Sequence, residues 1–231
     1  MIQALVTGAN RGIGLEYTRQ LLARGDRVIA TCRQPGRALD LNRLAGDYPG
    51  HLHVVPLSLP EERSIADLAH AVDALDVRID LLINNAGMLI DGERFGSVEQ
   101  KSLRESFATN AEGAFLVTQA LESRLAVDRA VVVNMSSGLG SIARTDGFHT
   151  PSYAISKAAL NMASRLLARA LIERGTIVVA LSPGWVSTDM GGEGATLSPE
   201  QSVGGLLRVI DGLEPADSGG FFGHDGKTVP W

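Results

Sequence analysis

Two residues four apart, Tyr153 and Lys157, carry the clearest sign of chemistry in this chain of 231 residues. Residues at this spacing share one face of a helix, so the lysine ammonium should lie beside the tyrosine phenol. A positive charge there favours the phenolate and should lower a pKa that is otherwise about 10. A tyrosine tuned in this way can exchange protons with a substrate near neutral pH. The same spacing also arises by chance, so the position of the pair in the fold decides its meaning.

The segment around the pair has the pattern of a long helix. Thr150 and Pro151 predict an N-cap followed by a first-turn proline, and Gly175 predicts the residue beyond the helix end. Between them, apolar residues recur at helical spacing: Ile155, Ala158, Ala159, Met162, Leu166 and Ala170. The pair therefore belongs to the first turns of an amphipathic helix.

Short β-rich runs alternate with helical patterns along the chain. This alternation predicts an α/β fold, a single doubly wound Rossmann-type domain over residues 1–231, with a parallel sheet of about seven strands and helices on both faces. The predicted strands are Ile2 to Thr7, Arg27 to Cys32, Leu52 to Leu57, Asp80 to Asn84, Ala130 to Met135, Thr176 to Leu181 and Gly220 to Phe222. The predicted helices are Gly12 to Arg24, Glu61 to Val77, Val98 to Ala126, Pro151 to Arg174 and Pro199 to Asp211.

A glycine-rich turn lies between the first strand and the first helix, with Gly8, Gly12 and Gly14 at its tight positions. Glycine permits a sharp turn and lets a pyrophosphate approach the backbone. The N–H groups at the start of the helix attract phosphate. The spacing differs from the commoner G-x-G-x-x-G fingerprint, and three glycines in such a turn can be purely structural. Their place directly after an apolar strand favours a nucleotide site.

The third predicted helix carries a polar residue, Asn110, inside an apolar stripe. Ser97 and Gln100 predict a capping box at its start. A buried amide needs partners, so Asn110 is either a satisfied core amide or part of a site. The spacing by itself favours the core interpretation.

Composition excludes several classes of function. The net charge of −5 and the absence of any basic run argue against nucleic acid or a membrane surface as partner. Cys32 is the only cysteine and the chain opens on a strand-like run, which together predict a cytoplasmic protein. The apolar runs are too short to span a bilayer. The histidines show no metal-site spacing, so no metal is expected; these are His51, His53, His70, His149 and His224.

Taken together, these motifs make the chain resemble the short-chain dehydrogenase/reductase family over essentially its full length. The matches, in order, are TGANRGIG at 7–14, NNAG at 84–87, Asn110, NMSSG at 134–138, YAISK at 153–157 and PGWVSTDM at 183–190. Within the family, PGWVSTDMGG and the final GFFGHDGKTVPW resemble the small reductases related to the bacterial C-factor and to Sniffer-type carbonyl reductases.

The resemblance implies a role for each catalytic candidate. Tyr153 is expected to protonate the developing alkoxide during carbonyl reduction, and Lys157 to lower its pKa and bond the nicotinamide ribose. Ser137 is expected to donate a hydrogen bond to the substrate oxygen, and Asn110 to hold a water that connects Lys157 to solvent. Extended backbone would point Ser136 away from the site, toward nearby backbone.

The resemblance also implies a cofactor-binding set. It comprises Gly8, Asn10, Arg11, Gly12, Ile13, Gly14, Arg33, Ser58, Leu59, Asn85, Ala86, Gly87, Tyr153, Lys157, Pro183, Gly184, Val186 and Thr188. For the stretch after the fourth strand, a purely structural role is nearly as good an interpretation. Ser58 stands where the family often has an aspartate, and Ser137 lies farther before Tyr153 than usual, which implies a longer loop from Gly138 to Pro151.

The function expected from these residues is NADPH-dependent reduction of a small ketone, aldehyde or quinone. Arg11 and Arg33 flank the place where the NADP phosphate would lie, and the second strand ends without the acidic residue of NAD-selective sites, although either arginine could simply be solvated. NAD is the less favoured cofactor. The alternative is a cofactor-binding signalling or regulatory protein of the C-factor type with incidental turnover. The resemblance further suggests a homodimer or homotetramer.

Overall fold

The computed structural model describes residues 1–231 and contains one seven-stranded sheet in which all neighbouring strands are parallel. The strands are β1 (Gln3–Val6), β2 (Arg27–Cys32), β3 (Leu52–Pro56), β4 (Leu81–Asn84), β5 (Val131–Met135), β6 (Ile177–Ser182) and β7 (Phe221–Gly223). The helices are α1 (Gly12–Ala23), α2 (Leu39–Asp47), α3 (Glu62–Leu75), α4 (Gln100–Phe107), α5 (Gly113–Ala120), α6 (Pro151–Ala170) and α7 (Pro199–Asp211). The predicted doubly wound α/β fold is confirmed.

Both faces of the sheet are covered by helices, which explains why its strands are nearly continuous apolar runs. Along β1, Ala4 and Val6 pack in a core with side chains of α1, α2 and α7. Leu5 points to the opposite face and packs with side chains of α3, α5 and α6. Successive strand residues thus serve two cores, as the two-residue repeat of a strand requires.

The strand order β3-β2-β1-β4-β5-β6-β7 places the reversal of winding between β1 and β4. In open sheets of this kind, the crevice at the carboxyl ends of the strands flanking the reversal is the usual place for ligands. The glycine-rich turn follows β1, and residues 85–87 follow β4. The topology therefore brings both segments to this crevice.

Two helix predictions were incomplete. The short helix α2 was missed; it spans only nine residues, and Leu41 is its only buried one. The third predicted helix, Val98 to Ala126, is divided by a π-helical turn at Ala108–Glu112 and ends at Ala120. Such turns interrupt the regular hydrogen-bond ladder and are frequent near functional sites.

The predicted capping box at the start of the third helix is wrong. The Ser97 hydroxyl donates to the Arg94 carbonyl, and the helix begins at Gln100 without a capping side chain. Gly175, which was predicted to lie beyond the helix end, has φ of +67° and follows the short turn Ile172–Arg174 after α6.

The N-cap predicted for α6 is also different from what the structure shows. Thr150 has φ of +37°, and its side chain makes no capping hydrogen bond. The carboxylate of Glu93 instead accepts hydrogen bonds from the Ser152 N–H at 3.1 Å and the Ser152 hydroxyl at 2.7 Å. A distant carboxylate thus replaces the local cap.

None of the helices is both long enough and apolar enough to cross a membrane.

Candidate active site

The turn between β1 and α1 depends on glycine at its tight points. Gly8 and Gly12 have φ of +65° and +55°, in the left-handed region that favours glycine. A Cβ at Gly8 would lie 2.8 Å from the Ala86 Cα, and a Cβ at Gly14 would lie 2.3 Å from the Gly8 carbonyl oxygen. The turn is therefore pressed against the segment after β4, and any side chain would force the two apart.

Asn85 holds this turn in place. Its side-chain amide donates to the carbonyl oxygens of Thr7 at 3.0 Å and Gly8 at 3.2 Å. In return, the Thr7 hydroxyl accepts from the N–H groups of Asn85 and Ala86, each at 3.0 Å. The side chain of Asn85 thus has a structural role, which is to fasten the glycine-rich turn to the segment after β4.

The start of α1 leaves backbone donors available at the turn. No side chain caps this helix, so its N-terminal N–H groups donate to no capping side chain. Arg11 and Asn10 are exposed beside it, whereas Ile13 is half-buried and packs against the core. The Arg11 guanidinium lies 2.8 Å from the carboxylate of Asp189. Arg33 is exposed directly after β2.

Ser58 and Leu59 follow β3 at the same edge of the sheet. The Ser58 hydroxyl donates to the Glu61 carboxylate at 2.8 Å, so in this structure it is directed to the start of α3. Leu59 packs on Gly113, where a Cβ would lie 3.1 Å from the leucine side chain. These contacts anchor the segment on which the adenine contact is expected.

The segment after β6 lies beside the glycine-rich turn. Gly184 has φ of +78°, and Pro183 before it is half-buried. Val186 is buried, and the Thr188 methyl lies 3.5 Å from where a Cβ on Gly12 would be. The segment after β6 therefore lies next to the glycine-rich turn.

Tyr153 and Lys157 lie on the buried side of α6. The Lys157 Nζ is 5.5 Å from the centroid of the Tyr153 ring and donates to the Met135 carbonyl at 2.7 Å. Both residues are buried, and no carboxylate pairs with the lysine. Burial lowers the pKa of Lys157 from 10.5 to about 8. The Met135 carbonyl is the only hydrogen-bond acceptor of the ammonium, so its other N–H groups are available to a ligand.

The expected lowering of the Tyr153 pKa is not what the structure shows. Burial raises the pKa of Tyr153, and a hydrogen bond with the Ser137 side chain opposes that rise. Removing a phenol from water disfavours its anion, and here this effect exceeds that of the Ser137 hydrogen bond.

Ser136 and Ser137 reach different partners at the end of β5. Ser137 has extended backbone, and its oxygen accepts from the Leu139 N–H at 3.2 Å. Ser136 is buried and donates to the side chain of Asn161, so its partner is an amide and not the backbone that was predicted. The Ser137 oxygen accepts from Leu139, and its own proton can be donated to the Tyr153 oxygen or to a substrate oxygen beside it.

Asn110 is a satisfied amide at the π-helical turn. Its oxygen accepts from the Met88 N–H at 2.8 Å, and its nitrogen donates to the Met88 carbonyl at 2.8 Å and the Ser156 hydroxyl at 2.9 Å. A Cβ on Gly87 would lie 3.2 Å from the Asn110 oxygen and 3.6 Å from the Lys157 Nζ. The side chain thus ties the segment after β4 to α6, and it does so next to Lys157.

The lengthened loop at 138–150 folds over this edge. Its Phe148 packs edge-on against Phe95, with ring centroids 5.6 Å apart, and both rings are exposed. His149 lies next to Gly147 and is exposed. The Trp185 indole, on the opposite segment, donates to the Gly191 carbonyl at 2.7 Å.

Three contributors to the site were not found from the sequence: Glu93, Asn161 and Asp189. Glu93 and Asp189 act through contacts between distant segments, and no local pattern marks them. Asn161 did leave a signal, because it continues the four-residue spacing of Tyr153 and Lys157 along one face of α6.

The comparison with known families agrees with this geometry. Residues 3–196 match the short chain dehydrogenase family. The chain belongs to that family. It is 43% identical over 166 residues to the C-signal of Myxococcus xanthus, covering 71% of this chain and 99% of the relative.

Two solved structures are similar to this short-chain dehydrogenase along its whole length. The NADPH-bound carbonyl reductase from chicken fatty liver is 37% identical with a TM-score of 0.94, covering 100% of this chain and 99% of that one. The carbonyl reductase Sniffer of D. melanogaster is 30% identical with a TM-score of 0.95, covering 100% of both chains. The predicted resemblance to the C-factor and Sniffer group is confirmed.

Proposed function

We propose that this short-chain dehydrogenase is an NADPH-dependent carbonyl reductase in which Tyr153 is the general acid. The observation that carries the proposal is the arrangement around the Tyr153 phenol. The Ser137 hydroxyl is within hydrogen-bond reach of the phenol, and the buried ammonium of Lys157, which has no carboxylate partner, lies 5.5 Å from the ring centroid. Donors and positive charge at this place suit a substrate oxygen that becomes negative during reduction.

The residues present fit a nicotinamide cofactor. The glycine-rich turn has a backbone conformation that favours glycine at Gly8 and Gly12, and no side chain caps the start of α1, so the N–H groups there can donate to a pyrophosphate. Gly87 leaves space next to the Lys157 ammonium, which would hold the ribose together with Tyr153. The residues after β6 from Pro183 to Thr188 would close over the nicotinamide. When bound, the cofactor supplies the hydride.

The protein's own groups supply geometry and protons. Ser137 donates a hydrogen bond to the carbonyl oxygen and orients the substrate. Tyr153 transfers its phenolic proton to that oxygen, and the charge of Lys157 stabilises the phenolate that remains. The side-chain nitrogen of Asn110 is fully engaged, so a water connecting Lys157 to solvent would have to donate to the Asn110 side-chain oxygen, which already accepts from the Met88 N–H.

NADP is favoured over NAD by the charges around the adenosine end. Arg11 and Arg33 are both exposed, and neither the end of β2 at Thr31 and Cys32 nor Arg33 directly after it is acidic. A carboxylate at that place would repel the extra phosphate. The NADPH bound to the similar chicken reductase supports the same choice.

The substrate class is supported by the side chains around the crevice and by similar proteins. Leu139, Phe148, Trp185 and Met190 are large apolar residues that remain exposed on the two segments at its mouth. They favour a ketone, aldehyde or quinone with apolar substituents. Both similar solved structures are carbonyl reductases.

A second candidate is a cofactor-binding signalling protein with incidental turnover. It is favoured by the 43% identity to C-signal, whose name indicates signalling. The intact set of Ser137, Tyr153 and Lys157 favours the enzyme, because a protein that only binds a cofactor needs no general acid.

A screen of ketones, aldehydes and quinones with NADPH tests the proposal. We expect turnover in wild type and a loss of about 10² or more in Tyr153→Phe, which keeps the ring and removes the proton. The affinity for NADPH should be nearly unchanged. Near-normal turnover in Tyr153→Phe would refute the general acid, whereas tight NADPH binding without turnover on any compound would favour the signalling candidate.

Assembly as a homodimer or homotetramer is a further part of the proposal. Three apolar residues of α6, Ile155, Met162 and Leu166, remain exposed on its outer side. Such a row is typical of a surface covered by another chain. Light scattering of the purified protein would give the state of assembly.

A further inference from the structure

Asn161 is a buried polar residue of α6 that the proposed chemistry does not use. It lies one turn beyond Lys157 and two turns beyond Tyr153, and only 4% of it is exposed. Burying an amide is unfavourable unless its donors and acceptors are paired. Its partners therefore indicate what it does.

Both partners of Asn161 belong to the segment that carries Ser137. The amide oxygen accepts from the Ser136 hydroxyl, and the amide nitrogen donates to the Gly140 carbonyl at 3.0 Å. A carbonyl oxygen can only accept, so this contact fixes which end of the amide faces Gly140. The two hydrogen bonds attach the chain to α6 one residue before and three residues after Ser137.

The same segment rests directly on α6. A Cβ on Gly140 would lie 2.7 Å from the Lys157 Cβ and 2.8 Å from the Lys157 carbonyl carbon. No side chain separates the two backbones there, so their spacing follows from the contact and from the Asn161 hydrogen bonds. Within the segment, Ser137 is held by short-range bonds, from Gly140 N–H to its carbonyl and from Leu139 N–H to its hydroxyl.

We propose that Asn161 is a positioning residue, which sets the Ser137 hydroxyl against Tyr153 by fastening both sides of Ser137 to the helix that carries Tyr153. The inference rests on the proposed function, in which Ser137 and Tyr153 act on the same substrate oxygen. Two donors must then converge on one atom, and a small displacement of one of them costs a large factor in rate.

The first test is a double-mutant cycle between Asn161→Leu and Ser137→Ala. Leucine matches asparagine in size and removes both hydrogen bonds. We expect kcat to fall about tenfold or more in Asn161→Leu, with the Kd for NADPH unchanged. In the Ser137→Ala background the same change should lower kcat less than about twofold, because its effect passes through Ser137.

Ser164→Ala is the matched control. Ser164 lies on the same buried side of α6 one turn farther on, and it accepts a hydrogen bond from Asn134 at 2.9 Å. Its loss also removes a buried hydrogen bond but leaves the Ser137 segment untouched. Hydrogen exchange at the amides of residues 138–141 should accelerate in Asn161→Leu and stay at the wild-type rate in Ser164→Ala.

Asn161→Asp provides a second test if the leucine variant does not fold. Its carboxylate can still accept from Ser136, but it repels the Gly140 carbonyl until it is protonated. Its kcat, divided by that of wild type, should therefore recover as the pH falls, and a ratio that does not change with pH would overturn the inference.

The outcomes separate this inference from the proposed function. Losses in kcat that add fully in the double variant would overturn the inference alone. A normal kcat in Ser137→Ala would overturn both the role of Ser137 and the inference. A wild-type protein without turnover would overturn the reductase and the inference with it.

Discussion

Arg11 is the only charged residue of the glycine-rich turn, and its guanidinium lies 2.8 Å from the Asp189 carboxylate. Both side chains are mostly exposed, at 64% and 78%, so the ion pair itself is weak. A phosphate also accepts charge-assisted hydrogen bonds from arginine, and because it carries more negative charge than a carboxylate it can displace an exposed one. Asp189 would then compete with the NADP phosphate for Arg11. It would thereby reduce the preference for NADP over NAD that the arginines provide.

Substitutions at these charges should separate the two cofactors. Arg11→Ala and Arg33→Ala should each weaken the binding of NADPH by about tenfold and leave the binding of NADH nearly unchanged. Asp189→Asn should have the opposite effect and strengthen the binding of NADPH by about twofold to fivefold. The measurements are Kd and kcat/KM for both cofactors. Arg43→Ala, at an exposed arginine of α2, is the control; equal losses with both cofactors would show that the arginines do not read the phosphate.

At the scale of elements, the sequence identifies α6 and the face that carries Tyr153 and Lys157, but not what holds its first turn. Pro151 begins the helix as predicted, whereas the cap comes from Glu93, which lies 59 residues before its partner Ser152. Periodicity and local turn chemistry report on neighbours in sequence and cannot reveal such a contact. The π-helical turn at Asn110 could not be predicted either, because its residues continue the apolar spacing of an ordinary helix.

Removing the Glu93 carboxylate should loosen the first turn of α6. Glu93→Ala leaves the Ser152 N–H and hydroxyl without their acceptor, and we expect the free energy of unfolding to fall by about 1 to 2 kcal/mol. Glu93→Gln keeps one accepting oxygen and should therefore lose less of the free energy of unfolding than Glu93→Ala. Urea unfolding measures both. Glu99→Ala, which removes an exposed carboxylate that caps nothing, should stay within about 0.5 kcal/mol of wild type; an equal loss there would contradict the assignment.

At the scale of the whole molecule, the fold was predictable because two independent patterns agree. The alternation of strand and helix patterns gives a parallel sheet, and the order of the motifs brings the candidate site to the carboxyl ends of its strands. The ionisation of the site was not predictable, since it depends on how completely the folded chain excludes water from Lys157 and Tyr153. The spacing of the pair predicts their proximity, but the pKa of each group follows from burial.

That burial has a consequence for the stability of the entire fold. Lys157 has a pKa of about 8 in the folded chain and 10.5 as an ordinary lysine. Below pH 8 both states hold the proton, and the folded state bears the full cost of a buried charge. Between pH 8 and 10.5 the unfolded chain binds the proton more strongly, so the free energy of unfolding rises with pH through this window relative to a chain without the lysine.

Lys157→Met removes the titrating group, so the difference between the two proteins should depend on pH. The free energy of unfolding of Lys157→Met minus that of wild type should decrease from pH 7 to pH 10.5 by up to about 3 kcal/mol. Loss of the hydrogen bond to Met135 shifts this difference equally at every pH and leaves its slope unchanged. Urea unfolding at pH 7, 8, 9 and 10 gives the slope. Lys101→Met, at an exposed lysine paired with Glu105, should show no such slope, and a flat difference for Lys157→Met would mean that the buried ammonium is already well solvated.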